Sequence, residues 1–231
     1  MDSQFLYFFI DVILLPIWLL FFIFKKNIRK EMLVISIIAG ILGIFAEIVY
    51  IQDWWNPATI TGTAIGIEDF FFGFLIGGIS SVIYTVISNE KLTKAKSIKS
   101  CWKQILFIIL LGCFLFFGGY YFLDINTFIM TLISFGILTL IIWFFRRDLI
   151  KKSVISGILT LVVGIIVYVF LNIIFPNWID ETLYFQNIPK VMVLWIMSLE
   201  DFVWFFIIGC FLGPLYEYWT GQYKIKKRKK L

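Results

Sequence analysis

Long apolar segments, separated by short polar stretches, recur along the whole chain. A helix of about 20 apolar residues crosses the hydrocarbon core of a bilayer, which is about 30 Å thick. Seven segments are long enough, at roughly residues 4–24, 32–52, 63–87, 102–123, 125–145, 152–175 and 189–219. The pattern therefore predicts an all-α integral membrane protein with seven transmembrane helices, forming a single membrane domain over residues 1–231.

The polar stretches between these segments follow the same order twice. In residues 1–90, the basic loop "KKNIRKE" precedes the second helix and "GIEDFFFG" opens the third. In residues 125–219, "RRDLIKK" and "SLEDFVWFF" stand in the same places. Corresponding helices are four spans apart in the chain, so the two copies have the same orientation in the membrane. This predicts two parallel three-helix repeats. Residues 102–123 form the linking helix between the repeats.

The distribution of basic residues predicts the orientation in the membrane. The chain is 61% hydrophobic and 15% charged, a balance that no soluble domain of this size shows. Of its 20 Lys and Arg residues, all except Lys190 lie in the loops after spans 1, 3 and 5, just inside the spans that follow those loops, or in the tail 220–231. The positive-inside rule then predicts a multi-pass cell-membrane protein with its N-terminus outside and its tail in the cytoplasm. The tail "KIKKRKK" follows directly on a span, which favours attraction to anionic lipid over binding of nucleic acid.

Several kinds of chemistry have no signal in the sequence. The chain contains no His, and its three Cys residues show no CxxC spacing. Catalysis by a Ser-His or Cys-His pair is therefore excluded, and no metal site is predicted. Neither GxGxxG after a strand nor GxxxxGK[ST] occurs, so no nucleotide cofactor is predicted. The available chemistry is that of carboxyl groups, aromatic rings and the backbone.

Two adjacent acid pairs, Glu68–Asp69 and Glu200–Asp201, stand inside strongly apolar segments. If both segments are helical throughout, Glu68 lies about 9 Å along the helix from Gly62 and Glu200 about 17 Å from Pro189, which places both in the outer half of the bilayer. Acids at such depth are costly and usually face a protein interior. Since Lys190 is the one basic residue on that side, the carboxyls of each pair are expected to share protons instead of forming ion pairs.

Helical spacing gives a first assignment of these side chains. One stripe of the third segment holds Gly62, Gly66, Asp69, Gly73 and Gly77. Small residues at this spacing allow close helix packing, which predicts that Asp69 points into a tight seam and Glu68 faces a cavity. Glu47 is a further cavity candidate, whereas Glu217 is expected to meet the cytoplasmic lysines. Asp11 fits either kind of position.

Aromatic side chains follow each acid pair. The predicted substrate contacts are Phe71, Phe72, Trp204, Phe205 and Glu47. The face of an aromatic ring stabilises a nearby cation, more strongly where water is absent. Proton-initiated cyclisation of a polyene requires such a site, because an acid protonates an alkene, rings shelter the carbocation and a carboxylate removes a proton.

These motifs resemble those of the lycopene cyclase domain family. Its members are cofactor-free integral-membrane carotenoid cyclases with two three-helix halves, either as subunits or fused. The family motif is Pro-x-Glu-Glu followed by paired aromatics, once per half, and "QDWWNPATITG" resembles the approach to its first copy. This chain departs from the motif, with Gly66 and Ser198 in place of Pro and Asp69 and Asp201 in place of the second Glu. The shorter acids leave the identity of the substrate open.

The resemblance implies a redox-neutral terpenoid or carotenoid cyclase, an intramolecular lyase or isomerase. Its acid–base set would be Glu68, Asp69, Glu200 and Asp201, and its substrate a hydrophobic polyene taken from the bilayer. Two alternatives stay open, namely a proton- or cation-coupled transporter and a non-catalytic membrane scaffold of the same fold. The segment "FVWFFIIGCFLG" has no polar path across the membrane, which argues against the transporter. A homo-oligomer is compatible with any of these functions.

Overall fold

Seven long helices dominate the computed structural model, which describes residues 5–88, 91–94, 102–176, 178–183 and 191–225. Each is long and apolar enough to cross a membrane, which confirms the prediction of an all-α integral membrane protein. These helices are α1 (Leu6–Phe24), α2 (Arg29–Asp53), α3 (Ile67–Ser88), α4 (Trp102–Leu123), α5 (Thr127–Phe145), α6 (Ile150–Ile174) and α8 (Leu199–Thr220). The shorter elements are α7 (Trp178–Thr182), β1 (Lys91–Lys94), β2 (Met192–Val193), β3 (Met197–Ser198) and β4 (Gln222–Ile225).

The two basic loops have the same local geometry. Helix α1 ends before Lys25 (φ −119°, ψ 76°), and a 3₁₀ turn, Lys26–Ile28, leads into α2. Helix α5 ends before Arg146 (φ −137°, ψ 71°), and the 3₁₀ turn Arg147–Leu149 leads into α6. This correspondence agrees with two repeats of one orientation, an arrangement that stays a prediction.

Glycines bring the helices of each half close together. A Cβ atom at Gly73 of α3 would lie 2.6 Å from the Ala39 carbonyl oxygen of α2. Similarly, a Cβ atom at Gly209 of α8 would lie 2.7 Å from the Ser156 carbonyl oxygen of α6. Helices in lipid associate through such close backbone contacts, so α3 packs tightly on α2 and α8 on α6. Helices α3 and α8 are the most buried spans and occupy the centre of the bundle.

Both acid-bearing helices begin later than the apolar pattern predicts. Gly62 has a left-handed backbone (φ 68°) and lies with Gly66 in the loop before α3, so the predicted glycine stripe is wrong at these two positions. In the second half, β2 and β3 form a hairpin with positive φ at Leu194 and Trp195, and α8 starts only at Leu199. The acids therefore lie in the first turns of α3 and α8. The helical stretches that the depth prediction assumed before them are wrong.

The halves of the molecule are joined at both ends of the bundle. The Asn56 backbone N–H donates a hydrogen bond to the Thr182 carbonyl oxygen (2.9 Å). Beside it, Trp55 and Leu183 form an isolated β-bridge. At the opposite end, β1 after α3 pairs antiparallel with β4 after α8. Lys190 and residues 226–231 of the basic tail lie outside the described residues.

A buried ion network connects three helices near the basic loops. Lys152 of α6 lies 3.1 Å from the Glu31 Oε1 atom of α2 and also contacts the Glu217 carboxylate of α8. All three residues are at most 3% exposed. The predicted contact between Glu217 and a basic residue is thus confirmed, and the contact of the same lysine with Glu31 links α6 and α8 to α2 of the first half.

The predicted orientation gives a labelling result. We expect a membrane-impermeant maleimide to label Cys101, which lies outside the described residues, from the cytoplasmic side only. A cysteine introduced at Asn56, in the outer loop, should be labelled from outside only. The measurement is mass-tag labelling of intact and inverted vesicles. Labelling of both cysteines from one side would contradict the parallel-repeat arrangement.

Candidate functional site

An apolar cavity of about 210 Å³ lies between the two halves. Asp201 and Leu215, which are 14 positions apart in α8, both line it, so it extends about 21 Å along that helix. The charged residues on the described part of its wall are Glu47, Asp69 and Asp201. All three belong to the end of the cavity where α3 and α8 begin. The site is thus a long hydrophobic chamber with acids at one end.

The start of α3 holds Asp69 in place. The Gly66 backbone N–H donates a hydrogen bond to Asp69 Oδ2 at 2.7 Å. The Tyr7 hydroxyl of α1 contacts the same carboxyl group, whereas Oδ1 is buried and accepts no hydrogen bond from the described residues. Asp69 lines the cavity, so one oxygen caps the helix start and the other is available to accept a proton or a hydrogen bond.

The start of α8 holds Asp201 in a closely similar way. Ser198 is the N-cap residue, and its Oγ accepts a hydrogen bond from the Asp201 N–H at 3.1 Å. The same hydroxyl donates to Asp201 Oδ2 at 2.5 Å, and the Tyr168 hydroxyl of α6 contacts the carboxyl group. This reciprocal contact is a variant of the capping box, in which the third helical residue carries the acid. In both helices, the position of the aspartate in the first helical turn thus explains how its carboxyl group is held.

The adjacent glutamates are buried but do not line the cavity. Glu68 Oε1 accepts a hydrogen bond from the Ile60 N–H at 2.7 Å. The Oε2 atoms of Glu68 and Glu200 are buried and accept no hydrogen bond within the described part of the chain. The prediction that Glu68 faces the cavity and Asp69 the seam is therefore wrong. Because α3 starts at Ile67, Glu68 turns back towards the preceding loop and Asp69 towards the cavity.

Aromatic rings from both halves meet on the cavity wall. Phe72 of α3 and Trp204 of α8 stack with their ring centroids 5.7 Å apart and their planes at 19°. Phe205 packs edge-on against Trp204, with a centroid distance of 5.1 Å. Phe72, Trp204 and Phe205 all line the cavity, as does Glu47. Phe71 is 43% exposed and lies outside the cavity, so the structure does not bring this predicted contact into the site.

Sequence reasoning missed two tyrosines of the site. Tyr7 and Tyr168 both line the cavity beside an aspartate. The sequence did contain a signal for Tyr168. Glu47 and Tyr168 are 121 positions apart, as are Lys25 and Arg146 in the two basic loops, so Tyr168 is the counterpart of Glu47 in the second predicted repeat. Tyr7 carries no comparable signal, since no acid pair or matching motif accompanies it in its predicted span.

Asp11 of α1 is a further buried acid near this end of the cavity. It interacts electrostatically with Glu68 and Asp69 but does not line the cavity. Within the described ranges, no group of three or more His, Cys, Asp or Glu side chains is placed to hold a metal ion. The arrangement provides carboxyl groups for proton transfer and aromatic faces for a cation, in a chamber otherwise lined mainly by apolar side chains.

Comparison with known proteins identifies the family. A family model described as lycopene cyclase matches residues 4–87 and 125–219. The interval between these two segments contains α4, the linking helix of the predicted arrangement. No curated protein and no solved structure matches the chain. Since the matched segments cover most of the 231 residues, the chain belongs to the lycopene cyclase family.

Proposed function

We propose that this protein cyclises an end group of a linear carotenoid, or a related terpenoid polyene, by redox-neutral proton transfer. The observation that carries the proposal is the pair of aspartates, Asp69 and Asp201, which two equivalent helix starts bring to the wall of one apolar cavity. Membership of the lycopene cyclase family supports a carotenoid cyclase in general. The acid–base set is Glu68, Asp69, Glu200 and Asp201, with the aspartates in contact with the substrate.

The reaction needs only protons. A neutral carboxylic acid adds a proton to the terminal double bond, which leaves a carbocation on the neighbouring carbon. The electrons of a second double bond form the new carbon–carbon bond and close the ring, which moves the positive charge into the ring. A carboxylate then removes a proton from an adjacent carbon, so the product is an isomer of the substrate. One proton enters and one leaves, and no oxidant or reductant takes part.

The cavity wall suits a short-lived cation. The stacked Phe72 and Trp204 present aromatic faces, which attract positive charge most strongly in a water-poor site. Below the aspartates, the α8 part of the wall is formed by Phe205, Ile208 and Phe211. Apolar walls exclude the water that would otherwise capture the cation. The same apolar lining gives the transporter alternative no support, because an ion path needs polar groups.

The proposed function includes the source of the substrate, the role of the tail and the arrangement of the helices. The substrate is a hydrophobic polyene supplied by the bilayer, and the basic tail 220–231 attracts anionic lipid. Residues 1–90 and 125–219 form the two parallel repeats, linked by residues 102–123. We further propose that the reaction needs no cofactor and no metal.

Purified protein in lipid nanodiscs, supplied with lycopene as the test polyene, gives the direct test. We expect a product of unchanged mass, with a changed retention time and absorption shifted to shorter wavelength, because ring closure removes double bonds from the open chain. The assay contains no flavin, nicotinamide, reductant or added metal. Chromatography with absorbance and mass detection measures the product. Turnover that appears only after addition of flavin or nicotinamide would contradict redox-neutral chemistry.

A further inference from the structure

The cavity reaches the lipid-facing surface of the protein at α2. Phe45 lines the cavity and is nevertheless 52% exposed. It lies on the same outward-facing row of α2 as Ile41 and Ile48, which are exposed but do not line the cavity. A side chain that belongs to both surfaces marks an edge of an opening. The cavity is therefore open sideways, beside Phe45.

Helix α4 supplies the opposite edge of this opening. Ile109, Cys113 and Phe117 line the cavity and are partly exposed. At the level of Phe117, the ring of the neighbouring Phe116 meets that of Tyr50 of α2 at a centroid distance of 5.4 Å, which closes the acid end of the gap. Helix α4 packs mainly against α5 and is the least buried of the seven spans. Below the Phe116–Tyr50 pair, α2 and α4 thus make few contacts with each other.

We call this gap the α2–α4 slit. Its partly exposed lining residues are Ile38, Leu42, Phe45, Ala46, Ile109, Gly112, Cys113 and Phe117. None of them carries a polar oxygen or nitrogen in its side chain. Along α2 the slit runs from Ile38 to Ala46, about 12 Å at the helical rise per residue. It lies within two membrane-spanning helices, so it faces hydrocarbon and not water.

We propose that the α2–α4 slit is the lateral entrance through which the polyene passes from the bilayer to the acids. This inference rests on the proposed function and adds the route and the residues that form it. The apolar edges match an apolar chain, and a charged or hydrated ligand would lose its hydration there without compensation. Glu47 lies two positions beyond Phe45 on α2, so a chain that crosses the slit meets the acidic end of the cavity directly. A lipid acyl chain is the other occupant that the test distinguishes.

The native thiol of Cys113 makes the slit testable. The starting protein carries Cys101→Ser, and Cys210 is 2% exposed, so a bulky membrane-soluble maleimide reacts mainly at Cys113. We expect alkylation to lower the cyclisation rate of lycopene by about tenfold or more, because passage through the blocked slit becomes the slow step. The matched control is Phe107→Cys combined with Cys113→Ala, since Phe107 is on the lipid face of α4 and does not line the cavity. Its alkylation should leave its rate unchanged.

A second measurement separates this inference from the proposed chemistry. Saturating lycopene should slow the alkylation of Cys113, measured by intact-protein mass spectrometry, even in the Asp69→Asn, Asp201→Asn protein. That protection reports a polyene beside Cys113 without turnover, so it tests occupation of the slit even if no ring product forms. Equal alkylation rates with and without lycopene would overturn the proposal and leave the slit to lipid acyl chains. Equal inhibition through the cysteine at position 107 would overturn it as well.

Discussion

Replacement of Asp69 and Asp201 together by asparagine is expected to lower the cyclisation rate by about 10²–10⁴-fold, the usual contribution of general acid–base catalysis. An asparagine oxygen still accepts the hydrogen bonds from the Gly66 N–H and the Ser198 hydroxyl, so both helix starts should persist. The amide, however, neither donates nor accepts a proton at a useful rate. The measurement is product formation from lycopene in nanodiscs, normalised to the amount of folded protein.

The matched control replaces the neighbouring acids, with Glu68→Gln and Glu200→Gln in one chain. These glutamates are buried in the same helical turns but do not line the cavity, so a smaller loss is expected. A larger loss from the glutamine pair than from the asparagine pair would assign substrate proton transfer to the glutamates. Unchanged rates in both double variants would rule out the acid–base mechanism and leave the fold untouched.

Lys152→Met is expected to destabilise the protein by about 3–5 kcal/mol, the typical cost of removing one partner from a buried ion pair. Methionine fills similar space but leaves the carboxylates of Glu31 and Glu217 without their shared ammonium group. These two carboxylates come from α2 and α8, so their repulsion would act between the halves. Reversible unfolding in mixed detergent micelles measures the change in the free energy of unfolding.

Lys151→Met provides the control for this variant, since the adjacent Lys151 is exposed and the chemical change is the same. It should alter the unfolding free energy by less than about 1 kcal/mol, as surface substitutions usually do. Adding Glu31→Gln and Glu217→Gln to Lys152→Met should recover much of the lost stability, because the uncompensated charges are then gone. A Lys152→Met protein as stable as the Lys151→Met protein would show that the ion network does not support the fold.

The number and type of helices could be predicted from hydropathy alone, but their starts could not. Membrane-spanning segments must satisfy every backbone group internally, so long apolar runs leave little choice of structure. The residues before α8 are nearly as apolar as the helix, but a hairpin with a turn at Leu194 and Trp195 separates them from it. Hydropathy does not detect such a turn. Ser198, three positions before Asp201, was the available signal for the helix start.

The identity of the cavity acids depended on these starts. Adjacent residues on a helix point about 100° apart, so the two members of each pair face different surroundings, and only the aspartates line the cavity. Composition and spacing identified both pairs, and the structure brings Asp69 and Asp201 into one cavity. The contacts of Tyr7 with Asp69 and of Tyr168 with Asp201 arise from packing between helices that are far apart in sequence. Such contacts follow only from the assembled bundle.

The buried ion network also has a consequence for the biogenesis of the protein. Its members are far apart in the chain, with Glu31 in the second span to be made, Lys152 in the sixth and Glu217 near the end of the last. Glu31 must therefore enter the membrane long before either partner has been synthesised. The network closes only after α8 has been synthesised. A chain truncated before Glu217 would keep both acid pairs, Glu68–Asp69 and Glu200–Asp201, but would lack the contact between Lys152 and Glu217.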